Sequence, residues 1–224
     1  CIVEPQDMGG CRVTPEGSLV MTLEDVRRFV QAQEPCRIVM EAGTHSPWVS
    51  RIAQGAGHEV IVGNPRMVPL IYRNVRKNDR NDARVLAQVG ALDPGLLFPV
   101  QHRGELAQRD LLALKARDLL VDARTKCING ARALVGGFGV SLPSCNADTF
   151  AKRTWTSVPW DLQPLLSGLY ESIGHLTARI HDYDRQIEAI ARERHPAASC
   201  LRQVSGVGPL TSLAFVLTLG GPHR

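Results

Sequence analysis

Three acidic residues have the types and positions that metal-dependent chemistry requires. Glu41 ends a short apolar run, Arg37–Glu41, while Asp79 and Asp82 lie three positions apart in a later segment. An Asp-x-x-Asp spacing places both carboxylates on one face of a helix, about one turn apart. Beside a sheet edge carrying Glu41, they would form an oxygen-only cluster that suits Mg²⁺ or Mn²⁺. Such ions activate an attacking hydroxyl and stabilise the leaving oxygen in phosphodiester chemistry.

Basic residues surround the two aspartates. The segment 66–84 holds six basic residues against two acids, and this local excess equals the net charge of +4 of the whole chain. The basic residues that directly flank the aspartates, which are candidates for holding a phosphate backbone, are Arg76, Lys77, Arg80 and Arg84. A purely structural interpretation also stays open. In it Asp79 caps a helix, Asp82 occupies the acid-favouring first turn, and Glu41 caps the helix that follows its strand.

Other residue types and the composition argue against a histidine or cysteine metal site, a histidine-activated nucleophile, a disulfide-built scaffold and a membrane span. The seven histidines show neither metal-ligand spacing nor pairing with a nucleophile, and the six cysteines form no C-x-x-C pair. We therefore interpret the cysteines as reduced thiols of a cytoplasmic protein. With 224 residues, 44% hydrophobic and 21% charged, the chain has the composition of an ordinary globular protein, and no apolar run reaches the ~20 residues of a membrane span.

The first hundred residues read as alternating strands and helices. A strand and its return are predicted over 1–4 and 11–13, and Thr22 begins a capping box. Ser46 and Pro47 are the expected N-cap and first-turn proline of a later helix. The order predicts an α/β sheet with mostly parallel crossovers, whose elements are a helix over 23–33, a strand over 37–41, a helix over 46–54 and a strand over 59–62.

Long helical patterns follow. One helix is predicted over 105–135, and a second over 161–194, where apolar residues alternate four- and three-residue steps as in a coiled-coil seam. The intervening segment, 136–159, is predicted to be a loop. An antiparallel pair within the chain and pairing with another subunit are both open. Near the end, Gly206 and Gly208 separate two helical segments, as in a helix-hairpin-helix that approaches phosphate through backbone N–H groups or in a plain structural connector.

Several motifs occur together in one order and resemble those of a known family. They are Met40–Thr44, Val62–Pro65, Arg76–Arg84 with its K-x-D-x-x-D-A element, Asn129–Leu134, and Val204–Pro209 with its G-x-G-P turn. In this combination the chain resembles the DEDD transposases of the IS110 insertion-sequence family, relatives of the Piv-type DNA invertases. The likeness runs over nearly the whole chain.

The resemblance implies an α/β RNase H-like (RuvC-like) domain over 1–100, an antiparallel helical coiled-coil region over 101–195, and the start of a C-terminal transposase domain with a helix-hairpin-helix over 196–224. Four acids, in the order Asp, Glu, Asp, Asp, bind divalent metal in the family. Glu41 matches the second acid, and Asp79 and Asp82 match the third and fourth. The implied partners are DNA, in some members a structured guide RNA, and a second subunit through the coiled coil, in a cytoplasmic protein associated with the nucleoid.

Two features of the family are expected outside this chain. The first Asp belongs just before Cys1, and the nucleophilic serine belongs beyond Arg224. We therefore expect the 224-residue chain by itself to be inactive in recombination. Two other functions stay open: a RuvC-like nuclease selective for DNA structure, and a non-catalytic remnant that binds nucleic acid.

Overall fold

The computed structural model describes residues 2–5, 11–14, 17–67 and 79–220, the first two ranges by their backbone alone. The chain divides into two compact units, Cys1–Arg103 and Gly104–Arg224. None of the helices in the described ranges combines the length and the apolar character needed to cross a bilayer.

The first unit follows the predicted alternation of strands and helices. Its elements are β1 (Ile2–Pro5), β2 (Cys11–Thr14), α1 (Leu23–Gln31), β3 (Arg37–Glu41), α2 (Ser46–Gly55), β4 (Glu59–Gly63) and α3 (Asp79–Leu92), followed by a 3₁₀ turn at Pro94–Leu97. β3 and β4 pair in parallel, with Arg37 opposite Glu59 and Glu41 opposite Gly63. The predicted parallel crossover is thus confirmed.

Local sequence explains why these elements begin where they do. The Thr22 hydroxyl accepts a hydrogen bond from the Asp25 amide at 3.1 Å, which is the predicted capping interaction of α1. The same helix buries Val26 and Val30 against Ala53 of α2. Because α1 and α2 share this apolar cluster with Ile38 and Val60, both helices are held against the β3–β4 pair.

Among the described residues the strands form two separate pairs, whereas a RuvC-like domain implies a single larger sheet. Within the described ranges β1–β2 is an antiparallel hairpin that lies against α3, and β3–β4 is a separate pair. The segment after α3 occupies the outer edge of β4, because the Asn64 amide donates to the Leu97 carbonyl at 2.9 Å and the Val100 amide donates to the Val62 carbonyl at 2.8 Å. This edge of the pair is therefore covered by chain that is not a strand.

A close contact between α3 and β3 fixes the position of α3. A Cβ atom added at Gly90 would lie 2.5 Å from Cγ2 of Val39, so only glycine allows this contact. The Arg37 guanidinium donates to the Gly90 carbonyl at 2.9 Å, which fixes the last turn of α3 beside the beginning of β3.

We predict that Gly90→Ala destabilises the first unit by about 1–3 kcal/mol, because Val39 is β-branched and cannot move its methyl group away. Gly55→Ala is the matched control, since a Cβ there meets nothing within 4 Å. Hydrogen exchange of peptides covering β3 and β4 measures the effect. Equal exchange in both variants would contradict the close-approach argument, and Val39→Ala in the Gly90→Ala background should restore protection.

The second unit is built on a helical hairpin. Its elements are α4 (Glu105–Gly136), α5 (Phe150–Thr154), α6 (Gln163–Arg194), α7 (Ala197–Leu201) and α8 (Pro209–Leu219), with 3₁₀ turns at Ala147–Thr149 and Trp155–Ser157. Asp110 near the start of α4 contacts His195 just after α6, so the two long helices run antiparallel. Four seam residues of α6, seven positions apart, are buried: Leu166, Ile173, Ile180 and Ile187.

The segment between the long helices is more ordered than the predicted loop. It contains α5 and both 3₁₀ turns, and Leu142, Phe150 and Val158 enter the same core as Ile128 and Ile173. The Asn146 side chain caps this region by accepting from the Thr149 amide at 3.0 Å. The prediction of a plain loop was wrong because the apolar residues that anchor the segment are widely spaced and show no helical period.

Buried charged side chains at the base and in the middle of the hairpin are paired. Asp110 is 1% exposed, and its two carboxylate oxygens lie 3.0 Å from Nη1 of Arg194 and 2.7 Å from Nε2 of His195. Arg124 is 8% exposed and donates to Asp148 and to the Thr177 hydroxyl. Pairing of this kind offsets the loss of hydration that burial of a charge entails.

The hydrogen bond from Arg124 lowers the pKa of Asp148 below its ordinary value. The positive charge of Arg124 and the contact with His181 act in the same direction, whereas burial opposes them. The unfolded chain therefore binds a proton at Asp148 more readily than the folded chain does. This contribution to stability is complete above the unfolded-state pKa of about 3.9 and is lost as the pH falls through the lower pKa of the folded state.

We predict that Asp148→Asn lowers the free energy of unfolding of the second unit by about 1–2 kcal/mol at pH 6, because the buried Arg124 loses its charged partner. The difference from wild type should shrink as the pH falls below about 4 and through the lower pKa of the folded state, because the wild-type carboxylate is then protonated as well. Urea unfolding at pH 6 and pH 3 measures both. Asp122→Asn, an exposed position on α4, should change little at either pH; a pH-independent loss in Asp148→Asn would contradict the assignment.

Candidate functional site

Glu41 is the last residue of β3, and its side chain is exposed. The strand pairing continues one step past it, because the Ala42 amide donates to the Gly63 carbonyl at 2.9 Å. Glu41 therefore stands where the carboxyl ends of two parallel strands meet, the edge at which open α/β sheets bind their ligands.

A buried serine shapes the loop that follows Glu41. The sequence predicted Ser46 as the N-cap of α2, but the helix already begins at Ser46, and His45 precedes it without a side-chain cap. The Ser46 hydroxyl instead accepts from the Gly43 amide and donates to the Gly43 carbonyl, both at 2.9 Å, and Ser46 is 5% exposed. The hydroxyl bonds backward because the tight turn after β3 leaves both backbone groups of Gly43 to be satisfied.

Asp79 and Asp82 occupy the first turn of α3, as the spacing predicted. Asp79 is exposed. Asp82 is half-buried, and its Oδ1 atom is buried without a hydrogen-bond partner among the residues that the structure describes. An unpartnered buried carboxylate oxygen is costly to the fold, and such atoms are characteristic of sites that take a further group.

The arrangement of these acids does not match a metal centre. In the described ranges no group of three or more His, Cys, Asp or Glu side chains is placed to hold a metal ion, and this includes Glu41, Asp79 and Asp82. Their all-oxygen chemistry suits Mg²⁺ or Mn²⁺, but their positions here do not.

The basic and glycine residues predicted to bind nucleic acid are spread over both units. Arg80 and Arg84 are exposed on α3, while Arg76 and Lys77 lie outside the described residues. Gly206 has φ +85 in the turn between α7 and α8, and a Cβ at Gly208 would meet nothing within 4 Å. α8 begins with Gly208 as N-cap and has no side-chain cap.

The fold brings together one nucleophile and one base that sequence spacing did not predict as a pair. Cys36 Sγ lies 3.4 Å from Nδ1 of His58, although the histidines had shown no such pairing in sequence. Cys36 directly precedes β3 and His58 directly precedes β4, and the observed register places Arg37 opposite Glu59. The strand register is therefore the signal that could have found this pair, since it brings the preceding residues together as well.

Comparison with known proteins shows to which family the chain belongs. The model of the IS110-type DEDD family, described as "Transposase", matches residues 11–138, which is more than half of the chain and includes Glu41, Asp79 and Asp82. The chain belongs to the IS110 family of DEDD transposases.

Two curated transposases are similar to this family member. A probable family 20 transposase of Pseudomonas aeruginosa is 27% identical over 206 residues, which cover 89% of this chain and 60% of that protein. The transposase for insertion sequence element IS1111A of Coxiella burnetii is 31% identical over 201 residues, which cover 84% of this chain and 52% of that protein. The chain thus spans about half to three fifths of the length of these relatives.

We predict that Ser46→Ala opens the loop after Glu41 and destabilises the first unit by about 1–3 kcal/mol, because both backbone groups of Gly43 lose their partner. Ser50→Ala is the matched control: Ser50 is also buried, but its hydroxyl bonds only to the Pro47 carbonyl within α2. Hydrogen exchange at Gly43 measures the opening. Faster exchange in Ser50→Ala than in Ser46→Ala would contradict this account.

Proposed function

We propose that the chain is part of a bacterial insertion-sequence transposase that binds, cleaves and transfers DNA strands in a metal-dependent reaction. The observation that carries this proposal is the family match over 11–138, which contains all three candidate acids. The printed names of both relatives, each a transposase, support it.

In this proposal Glu41, Asp79 and Asp82 are the catalytic acids and the ligands of Mg²⁺ or Mn²⁺, in a RuvC-like domain. The carboxyl-end position of Glu41 and the unpartnered oxygen of Asp82 support these roles. The position of α3 also supports them. The hydrogen bond from Arg37 to the Gly90 carbonyl fixes the last turn of α3 beside the beginning of β3, and from Gly90 the helix extends about 16 Å back to Asp79. To share a metal ion, the three acids need to come closer together than they stand here.

The remaining assignments concern partners and location. We assign DNA contacts to Arg76, Lys77, Arg80, Arg84, Gly206 and Gly208, the two glycines within a helix-hairpin-helix. The protein would act in the cytoplasm at the nucleoid, in some contexts with a structured guide RNA. For assembly through a coiled coil, the support is a second apolar stripe on α4 that faces away from α6. It contains Leu112 and Leu119, which are 65% and 69% exposed, with Ala116 and Ala123 at the same three- and four-residue steps.

We further propose that the 224-residue chain by itself does not recombine DNA, because the first acid and the serine of the family have no match in it. The chain should still bind DNA through its basic residues, with an affinity that falls as salt rises. A strand-transfer or excision product from the purified chain, element ends and Mg²⁺ would overturn this part.

We predict that Asp79→Asn and Asp82→Asn, made in the protein expressed from the intact reading frame, lower Mg²⁺-dependent strand transfer at least about a hundredfold. DNA binding, measured by fluorescence anisotropy, should stay within about twofold of wild type, since the basic residues are unchanged. Glu24→Gln, at an exposed acid of α1, is the control and should leave both unchanged.

The other functions give different results in the same assays. Cleavage of branched DNA without any requirement for element ends would indicate a structure-selective nuclease. DNA binding together with no Mg²⁺-dependent activity in wild type, and no effect of either aspartate variant, would indicate a non-catalytic remnant.

A further inference from the structure

Cys36 and His58 form a contact that the transposase chemistry does not use. Cys36 is exposed, whereas His58 is 6% exposed. The thiol sulfur lies 3.4 Å from Nδ1 of His58, within hydrogen-bonding distance for sulfur. A nucleophile in contact with a base, and a base held by a third group, is the arrangement that activates cysteine and serine nucleophiles.

The third group here is a backbone carbonyl. Nε2 of His58 lies 3.0 Å from the Val30 carbonyl oxygen, which only accepts hydrogen bonds. Nε2 must therefore carry the ring proton, and in the neutral imidazole Nδ1 is the unprotonated nitrogen. The Cys36 amide also donates to Nδ1, at 3.2 Å, and holds the ring in place beside the thiol. The fold therefore places the unprotonated nitrogen of His58, Nδ1, next to Cys36.

Transfer of the thiol proton to Nδ1 rearranges the hydrogen bonds of the His58 ring. With both ring nitrogens protonated, Nε2 still donates to the Val30 carbonyl and Nδ1 donates to the thiolate, while the amide of the exposed Cys36 exchanges its bond to Nδ1 for one to water. Arg37 and Glu59 directly follow Cys36 and His58 in the two paired strands. Arg37 and Glu59 form an ion pair with 2.8 Å between Nε and Oε2, and they largely offset each other.

We propose that Cys36, with His58 as its base, is a site of reversible mixed-disulfide formation with small-molecule disulfides. The Cys36 proton passes to Nδ1 of His58 as Sγ attacks one sulfur of the disulfide. A new S–S bond forms to Cys36, the original S–S bond breaks, and the leaving thiolate takes the proton from His58. Cys36 is oxidised and the small disulfide is reduced to one free thiol, which by the reverse reaction restores Cys36.

Cys200 is the matched reference for this reaction. It is exposed like Cys36, and no hydrogen bond to its thiol is present in the part of the chain that the structure describes. The folded chain is incubated with oxidised glutathione at neutral pH, and modification of each cysteine peptide is followed by mass spectrometry. Cys36 should react about tenfold faster than Cys200. In guanidinium chloride, where the pair no longer exists, the two rates should become equal.

Variants test the role of the imidazole separately from exposure. His58→Asn keeps an acceptor for the Cys36 amide but removes the base, so the Cys36 rate should fall to that of Cys200. His45→Asn, at an exposed histidine whose ring contacts Trp48, should leave the Cys36 rate unchanged. Equal rates at Cys36 and Cys200 in the folded wild type would overturn the proposal even if His58→Asn does not fold. So would an unchanged Cys36 rate in a folded His58→Asn chain.

Discussion

The parallel register of β3 and β4 is the constraint on which the first unit depends. With Arg37 opposite Glu59, the carboxyl ends meet at Glu41 and Gly63, and the residues before the strands meet as Cys36 and His58. The same backbone hydrogen bonds therefore give the strand pair an acidic side chain at its carboxyl end and a thiol beside an imidazole at its amino end. A shift of one residue would separate both pairs of residues and exchange the side chains of the shifted strand between the face that packs on α1 and α2 and the face that packs on α3. α1, α2 and α3 all pack onto this pair, so their positions follow from it.

The second unit depends on paired charges: the buried charged side chains among its described residues, Asp110 and Arg124, both have partners. Asp110 and Arg124 are among the most buried residues of α4, and each holds residues of other elements. Apolar packing between α4 and α6 supplies most of the driving force, but it is not directional. The paired charges are directional, because truncating one partner leaves an uncompensated buried charge. They therefore favour one alignment of the two helices over neighbouring ones.

Local sequence was sufficient for elements whose signal lies within a few residues. The Thr22 capping box, the strand ending at Glu41 and the two long helices were predicted close to their observed bounds. Features that depend on distant partners were not predictable: α5 forms around Phe150, which is buried by residues of α4 and α6. The backward bonds of Ser46 and the pairing of Cys36 with His58 likewise arise from the turn after β3 and from strand register. The family resemblance identified three candidate acids. Whether they lie close enough to share a metal ion depends on the tertiary structure, which their spacing in sequence does not determine.

The length of the helical hairpin has a mechanical consequence. Each long helix has 32 residues, so the hairpin is an arm of about 48 Å. Its base is fixed by Asp110 with Arg194 and His195, and its apex is packed around Phe150. A rotation of about 5° at the base moves the apex by about 4 Å, which follows from the arm length alone. A small change in the angle at which Asp110, Arg194 and His195 hold the two helices together is thus amplified along the whole length of the hairpin.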